Sequence, residues 1–131
     1  MTQKNNKPVV VHVDVRKLKR KADTNLQLFS QAKLEKLIEE AVVGAYTEEE
    51  QVGGFLAMME EHVALPFSAT ILGVDVVVVE KVDMNRGGRI VGICRRDEAR
   101  QRIGILDLPL PTPAPAGAEW IVACQHWRRG F

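Results

Sequence analysis

The chain has 131 residues, of which 46% are apolar and 27% charged, and its net charge is only +1. This length and composition suit one globular domain that needs no disulfides to fold. No apolar run approaches the about 20 residues of a membrane-spanning helix, and residues 1–8 lack the apolar core of a signal peptide. We therefore expect a cytoplasmic protein without membrane contact.

The cysteines and histidines do not form a metal-binding pattern. Cys94 and Cys124 stand 30 positions apart, and His12, His62 and His126 are scattered along the chain. A structural zinc site needs four closely spaced ligands, which this arrangement does not supply. We expect both cysteines to be reduced and buried as small apolar residues.

Charge is distributed unevenly along the chain. Residues 1–33 carry a net charge of +6, residues 34–65 carry −7 and residues 66–131 carry +2. We assign residues 1–29 to a basic, partly disordered tail and residues 30–131 to a single domain.

Two segments of the tail have a pattern of their own. Residues 8–15 are rich in valine and could form an edge strand. Residues 16–21 form a dense basic run without interleaved aromatic residues. Such a run can contact nucleic acid or an acidic protein, or it can be a solvated tail, and both interpretations stay open.

Two helices are predicted before Pro66. Ser30 can cap the first, in which apolar residues from Leu34 to Ala45 recur at the spacing of one buried face. The second begins at Thr47, which has the capping-box spacing to Glu50. Gly53 and Gly54 are unfavourable inside this second helix, and the pair indicates close approach of another segment.

After Phe67 the pattern becomes that of β-strands. Strands are predicted at residues 67–72, 74–82, 89–96 and 100–106, as part of a set of about four or five. Short, closely spaced strands favour a small SH3-like antiparallel β-barrel. A proline-rich connector then leads to a short C-terminal helix that carries Trp120, Cys124 and Trp127. The predicted fold class is α+β, with two N-terminal helices, this barrel and the C-terminal helix.

The motifs of common enzyme active sites are missing from the sequence. It contains no G-x-S-x-G, no P-loop and no G-x-G-x-x-G. His62 stands beside Glu60 and Glu61, but no nucleophile is near it in sequence, and we interpret it as a surface histidine. We therefore expect a protein that is not an enzyme.

Acidic residues cluster in the second helix, at Glu48, Glu49, Glu50, Glu60 and Glu61. Calcium takes six to eight oxygen ligands, several of them from carboxylates, so the start of this helix could begin a calcium site. The alternative is a capped helix with a solvated acidic face. The segment that starts at Asp83 is not an EF-hand loop, because Cys94 occupies the place of the bidentate glutamate.

One block of sequence resembles the small bacterial calcium-binding proteins of the cyanobacterial CcbP type. The resemblance covers about residues 34–129. It is carried by Ala45–Gln51, Gly54–Phe55, Met59–Glu61, Leu65–Phe67 and Ala69, and it continues through Gly73 to the segment from Trp120 to Trp127. It implies calcium as the ligand, with Glu48, Glu50 and Glu61 on the acidic positions of the family. Gly44 stands where members commonly carry an acid, which implies weakened or lost affinity for calcium.

An alternative function follows from the basic residues. A small barrel could bind nucleic acid or protein through the tail and through Arg89, Arg95, Arg96, Arg100 and Arg102. Binding to nucleic acid would weaken steeply with salt, whereas calcium binding would depend on the glutamates. The sequence leaves the oligomeric state open.

Overall fold

The structure is a computed structural model and describes residues 29–71 and 75–129. Within these residues the chain has an α+β fold with three α-helices and four β-strands. In chain order the elements are α1 (Gln31–Val42), α2 (Glu48–His62), β1 (Phe67–Ile71), β2 (Asp75–Met84), β3 (Ile90–Arg96), β4 (Ala99–Gly104), a 3-10 turn (Ile105–Asp107) and α3 (Ala118–Arg128).

The predictions for residues 8–15 and 16–21, and for nearly all of the basic tail, lie outside the described residues. No helix in the described part of the chain is both long enough and apolar enough to cross a membrane.

Helix α1 has the predicted start and the first part of the predicted buried face, but it ends at Val42, so Ala45 lies beyond it. The Ser30 side chain accepts a hydrogen bond from the Lys33 amide at 3.2 Å and caps the helix. Leu34, Ile38 and Ala41 are buried along one face, because residues three and four positions apart lie above one another on a helix.

Helix α2 begins with the predicted capping box. The Thr47 hydroxyl accepts from the Glu50 amide, and the Glu50 carboxylate accepts from the Thr47 amide. The prediction of a close approach is confirmed at Gly54, where a Cβ would fall on the backbone carbonyl oxygen of Ala41. At Gly53 a Cβ would meet nothing. Only one glycine of the pair is therefore required by the packing of α2 against α1.

The four strands form one antiparallel sheet in the order β1-β2-β3-β4. β1 and β4 are its two edges, so the sheet is open over residues 29–71 and 75–129, and the predicted SH3-like barrel is not confirmed. The turn between β3 and β4 lies where it is predicted, and Asp97 in it has a φ of 53°, the left-handed conformation that is favoured in two-residue hairpin turns.

The core lies between the three helices and one face of the sheet. Its fully buried members include Phe55, Met59, Ile71, Val79, Ile105, Leu108, Ile121 and Val122. Cys94 and Cys124 are both buried and free, as predicted. Burial in apolar surroundings raises the pKa of the Cys94 thiol to about 11 and that of Cys124 to about 12.

Gln125 is a buried polar residue that the sequence pattern did not mark. Its side-chain amide donates to the Ile105 carbonyl at 3.2 Å and so ties α3 to the 3-10 turn. Gly117 starts α3 with a φ of +83°, and a Cβ there would fall on the backbone of His62. This glycine therefore permits α3 to begin directly against the end of α2.

Candidate functional site

The carboxylates predicted to bind calcium lie at two separate ends of α2. Glu48 and Glu50 are in its first turn, whereas Glu61 is thirteen positions further along, next to its last residue. At 1.5 Å of rise per residue, this spacing separates Glu61 from Glu48 by about 20 Å. Glu61 lies beside His62, with 3.8 Å between the Glu61 carboxylate and the His62 Nε2. The structure therefore places two of the three predicted ligands in one helical turn, where residues two positions apart do not face each other, and the third at the opposite end of α2.

Glu50 is engaged in the helix cap. Its Oε1 accepts from the Tyr46 amide at 2.8 Å and from the Thr47 amide at 3.0 Å. These backbone donors, Tyr46 first and Thr47 second, stabilise the charged form and lower the pKa of Glu50 below its usual 4.5. The carboxylate therefore completes the start of α2 whether or not it also meets a cation.

Glu48 has a partner from the other end of the chain. Its Oε2 accepts from the Arg128 guanidinium at 2.9 Å, which joins the start of α2 to the end of α3. Within residues 29–71 and 75–129 no three His, Cys, Asp or Glu side chains come close enough together to hold a metal ion. The start of α2 is thus an acidic helix end in which two carboxylates already have partners.

A second cluster of charge lies on the sheet. Directly paired residues of an antiparallel sheet point to the same face, and neighbouring residues along a strand point to opposite faces. Val78, Arg95 and Arg100 form one row across β2, β3 and β4. Lys81, Ile93 and Arg102 form the next row. We call these two rows, with Val91, the outer sheet face, because the alternate residues, such as Val79 and Cys94, belong to the core.

A β-bulge places a carboxylate in the middle of this face. Val79 pairs with Cys94 and Lys81 pairs with Ile93, so Glu80 between them is the extra residue of the bulge. The Glu80 carboxylate accepts from the Arg95 Nε at 2.7 Å and from the Arg100 Nε at 3.1 Å. Arg95 first and Arg100 second lower the pKa of Glu80 below 4.5. Glu80 therefore stays ionised and aligns both guanidiniums.

Positive charge remains in excess on the outer sheet face. Its cations are Lys81, Arg95, Arg100 and Arg102, and the adjoining carboxylates are Glu80 and Asp83. The Arg102 guanidinium lies 4.0 Å from Asp83, at the limit of an ion pair. The Arg100 and Arg102 side chains are 64% and 56% exposed, so solvent and any partner can reach both.

The floor between these cations is aliphatic. Ile93 lines a shallow depression together with Lys81, Arg100 and Arg102. Val91 and Ile93 are buried, yet both lie outside the main hydrophobic cluster of the core. Val76, which stands two residues before Val78 in β2, is 56% exposed. The aliphatic surface that a partner can reach on this face is therefore mainly that of Val76 and the half-buried Val78, beside the guanidinium and ammonium groups.

The structure brings together three of the five arginines that the sequence predicts for partner binding. Arg95, Arg100 and Arg102 share the outer sheet face, whereas Arg89 precedes β3 and lines a different cavity. Sequence reasoning did not identify Glu80 and Lys81 as parts of this face. Strand alternation in β2 could have assigned Lys81 to the outer sheet face. The bulge shifts the pairing register of β2, however, and no local sequence pattern reveals a bulge.

Comparison with known proteins adds no relative. No family model matches the chain, and neither does any curated protein or solved structure. The resemblance to the CcbP type stays a prediction.

Proposed function

We propose that this protein is a non-enzymatic interaction module whose outer sheet face binds an acidic polypeptide segment. The observation that carries the proposal is the arrangement of Lys81, Arg100 and Arg102 around Ile93. A partner segment that alternates carboxylates with aliphatic side chains would match both the charge and the floor of this face.

The Glu80 contacts support this proposal rather than weaken it. Each guanidinium has five N–H donors, and Glu80 uses the Nε of Arg95 and of Arg100. The Arg100 side chain is 64% exposed and only its Nε is engaged by Glu80, so its terminal Nη groups can hold a carboxylate. Because Glu80 already orders both side chains, binding loses less side-chain entropy than it would with two mobile arginines.

A polypeptide suits this face better than a nucleic acid does. Proteins that bind single strands stack bases on aromatic side chains, and no aromatic residue of the described chain lies on the outer sheet face. The exposed and half-exposed apolar residues there, Val76 and Val78, are aliphatic. Their natural complement is another aliphatic side chain, packed between charges that pair at the rim.

A direct binding measurement tests this function. The probe is a fluorescein-labelled peptide of alternating glutamate and valine, and the readout is anisotropy against protein concentration. We expect Arg100→Gln with Arg102→Gln to weaken binding at least about tenfold, since each charged hydrogen bond contributes about 1.5–3 kcal/mol. Lys33→Gln with Lys36→Gln removes the same charge from α1 and should change binding little.

Two outcomes would overturn this assignment. If the double variant of Arg100 and Arg102 and the double variant of Lys33 and Lys36 lost peptide affinity equally, net charge alone would govern binding. Tighter binding of a labelled single-stranded oligonucleotide, with a steep loss in salt, would replace the polypeptide partner by a nucleic acid.

Calcium binding at the start of α2 is our second proposal. Glu48 and Glu49 are adjacent carboxylates beside a turn, and Glu48 is 69% exposed. Oxygens of this kind suit a hard cation. The Glu48 pair with Arg128 and the Glu50 contacts to backbone amides compete with the cation, so we expect a Kd of about 10⁻⁴ M or weaker.

A thermal titration of chelator-treated protein tests the calcium proposal. Calcium at 100 times Kd should raise Tm by several degrees, and Glu48→Gln with Glu50→Gln should abolish that rise. Glu39→Gln with Glu40→Gln on α1 is the matched control. Glu61→Gln tests the third predicted ligand, which lies at the far end of α2. No calcium-dependent shift at about 10 mM would end this proposal.

The four strands form a sheet that is open over residues 29–71 and 75–129. The closed SH3-like barrel has no support from these residues and stays a prediction.

A further inference from the structure

A small apolar cavity lies away from the outer sheet face. It has a volume of about 70 Å³ and lies where α2, the start of β3, the 3-10 turn and α3 meet. Its walls are mostly apolar and come from Val52, Ile90, Ile105, Leu106, Cys124 and Trp127. Four separate elements therefore enclose a space that the core side chains do not fill.

Charges of both signs stand at the edge of this cavity. Arg89 and Asp107 both line it, and within the described residues neither side chain has an ion-pair partner. Arg128 also lines it, but Glu48 holds that guanidinium at 2.9 Å, and it lies over the Trp127 ring at 5.4 Å. Within the described residues, one cation and one anion at the cavity edge are therefore open to a ligand.

The size of the cavity restricts what can enter. A water molecule needs about 10–15 Å³ measured in this way, so 70 Å³ offers space for roughly five water-sized groups. Pockets for nucleotides and drug-sized ligands are several times larger, at about 300–1,000 Å³. The enclosed part of a ligand is therefore an aliphatic group of about four heavy atoms.

We propose that this cavity binds a free branched aliphatic α-amino acid of the size of leucine. The ligand carboxylate pairs with the Arg89 guanidinium, and its ammonium pairs with the Asp107 carboxylate. The aliphatic side chain occupies the space between Val52, Ile105 and Trp127. A zwitterion matches both unpaired charges, whereas a simple carboxylate would leave Asp107 without a partner and beside a like charge. This site is independent of the proposed peptide-binding function.

Ligand dissection tests the proposal on the full-length chain. Leucine is titrated by calorimetry and by ¹H–¹⁵N NMR, where the Trp127 indole resonance should shift because that side chain lines the cavity. The same titrations use 4-methylpentanoate, which lacks the ammonium, and 3-methylbutylamine, which lacks the carboxylate. We expect leucine to bind at least about tenfold more tightly than either analogue, because each analogue loses one charge pair.

Two substitutions test which side chain binds the carboxylate of leucine and which binds its ammonium. Arg89→Gln should weaken leucine binding about tenfold or more and leave 3-methylbutylamine unaffected, and Asp107→Asn should weaken leucine and leave 4-methylpentanoate unaffected or improved. Arg89 is exposed and Asp107 is half-buried, and Arg86→Gln at an exposed position of the adjoining turn is the control. Absence of leucine binding up to about 10 mM, or equal binding of leucine and its analogues, would overturn the proposal.

Discussion

The acidic start of α2 and the basic outer sheet face are both clusters of like charge, but they differ in what their charged groups already contact. In α2, Glu50 accepts hydrogen bonds from two backbone amides, and Glu48 accepts a hydrogen bond from Arg128. On the sheet, the Glu80 carboxylate accepts from one nitrogen of Arg95 and one of Arg100, and Arg95 Nη1 donates to the Asp97 carbonyl at 3.4 Å. Each guanidinium has five N–H donors, so most of the donors of both arginines are left for other groups.

The difference comes from the two kinds of secondary structure. A helix start has unpaired amides that carboxylates can satisfy, so acids there stabilise the fold itself. A strand directs its amides to neighbouring strands and its side chains out of the sheet, so arginines on a sheet face keep their donors for other groups. A cluster of charged residues is therefore stronger evidence for a binding surface on a sheet face than at a helix start.

The largest expected effect lies in the packing that holds α2 in place. Gly54→Ala puts a Cβ onto the Ala41 carbonyl oxygen, and the two helix backbones must separate. We expect a loss of about 3 kcal/mol or more in the free energy of unfolding, measured by urea denaturation. Gly53→Ala meets nothing and should stabilise α2 by about 0.5–1 kcal/mol. Equal effects of the two substitutions would contradict this assignment.

A smaller effect separates the helix start from the sheet directly. Thr47→Ala removes the N-cap acceptor of the Glu50 amide and should cost about 1 kcal/mol. Thr70→Ala, on an exposed position of β1, should change the free energy of unfolding by no more than about 0.5 kcal/mol. If Thr70→Ala cost as much as Thr47→Ala, the helix cap would have no special weight.

Local patterns predicted much of this fold. The capping residues Ser30 and Thr47, the buried stripe of α1 as far as Val42 and the turn between β3 and β4 lie where the sequence places them. Each depends on residues within a few positions of one another, for which spacing alone is sufficient. The close approach at Gly54 was also predicted, although the sequence could not show that Gly53 takes no part in it.

The candidate sites were less predictable, because they depend on residues distant in sequence. Glu80 meets Arg95 and Arg100 only through the bulge in β2 and the pairing of three strands. Glu48 meets Arg128 across 80 positions. Neither contact leaves a local pattern. The separation of Glu61 from Glu48 is different, since helix geometry alone fixes it once α2 is known.

The smallest effect is a pH dependence that both clusters share. The pKa values of Glu50 and Glu80 are lowered below 4.5 in the folded protein. The folded state therefore binds these protons less readily than the unfolded state does. The stability that each carboxylate contributes is present above about pH 4.5 and is lost as the pH falls through its lowered folded pKa.

Substitutions and salt separate the two contributions. Urea denaturation between about pH 3 and 6 should show a shallower acid-induced fall in stability for both Glu50→Gln and Glu80→Gln than for the wild type. Glu49→Gln is the control, and it should leave that fall unchanged if only Glu50 and Glu80 produce it.

Salt separates the contributions further. About 1 M salt should reduce the Glu80 contribution, because exposed ion pairs are screened. It should leave the Glu50 contribution largely intact, because the partners of Glu50 are backbone amides. Equal salt sensitivity at both positions would show that the Glu50 contribution is also mainly long-range charge, and the distinction between helix start and sheet face would then fail.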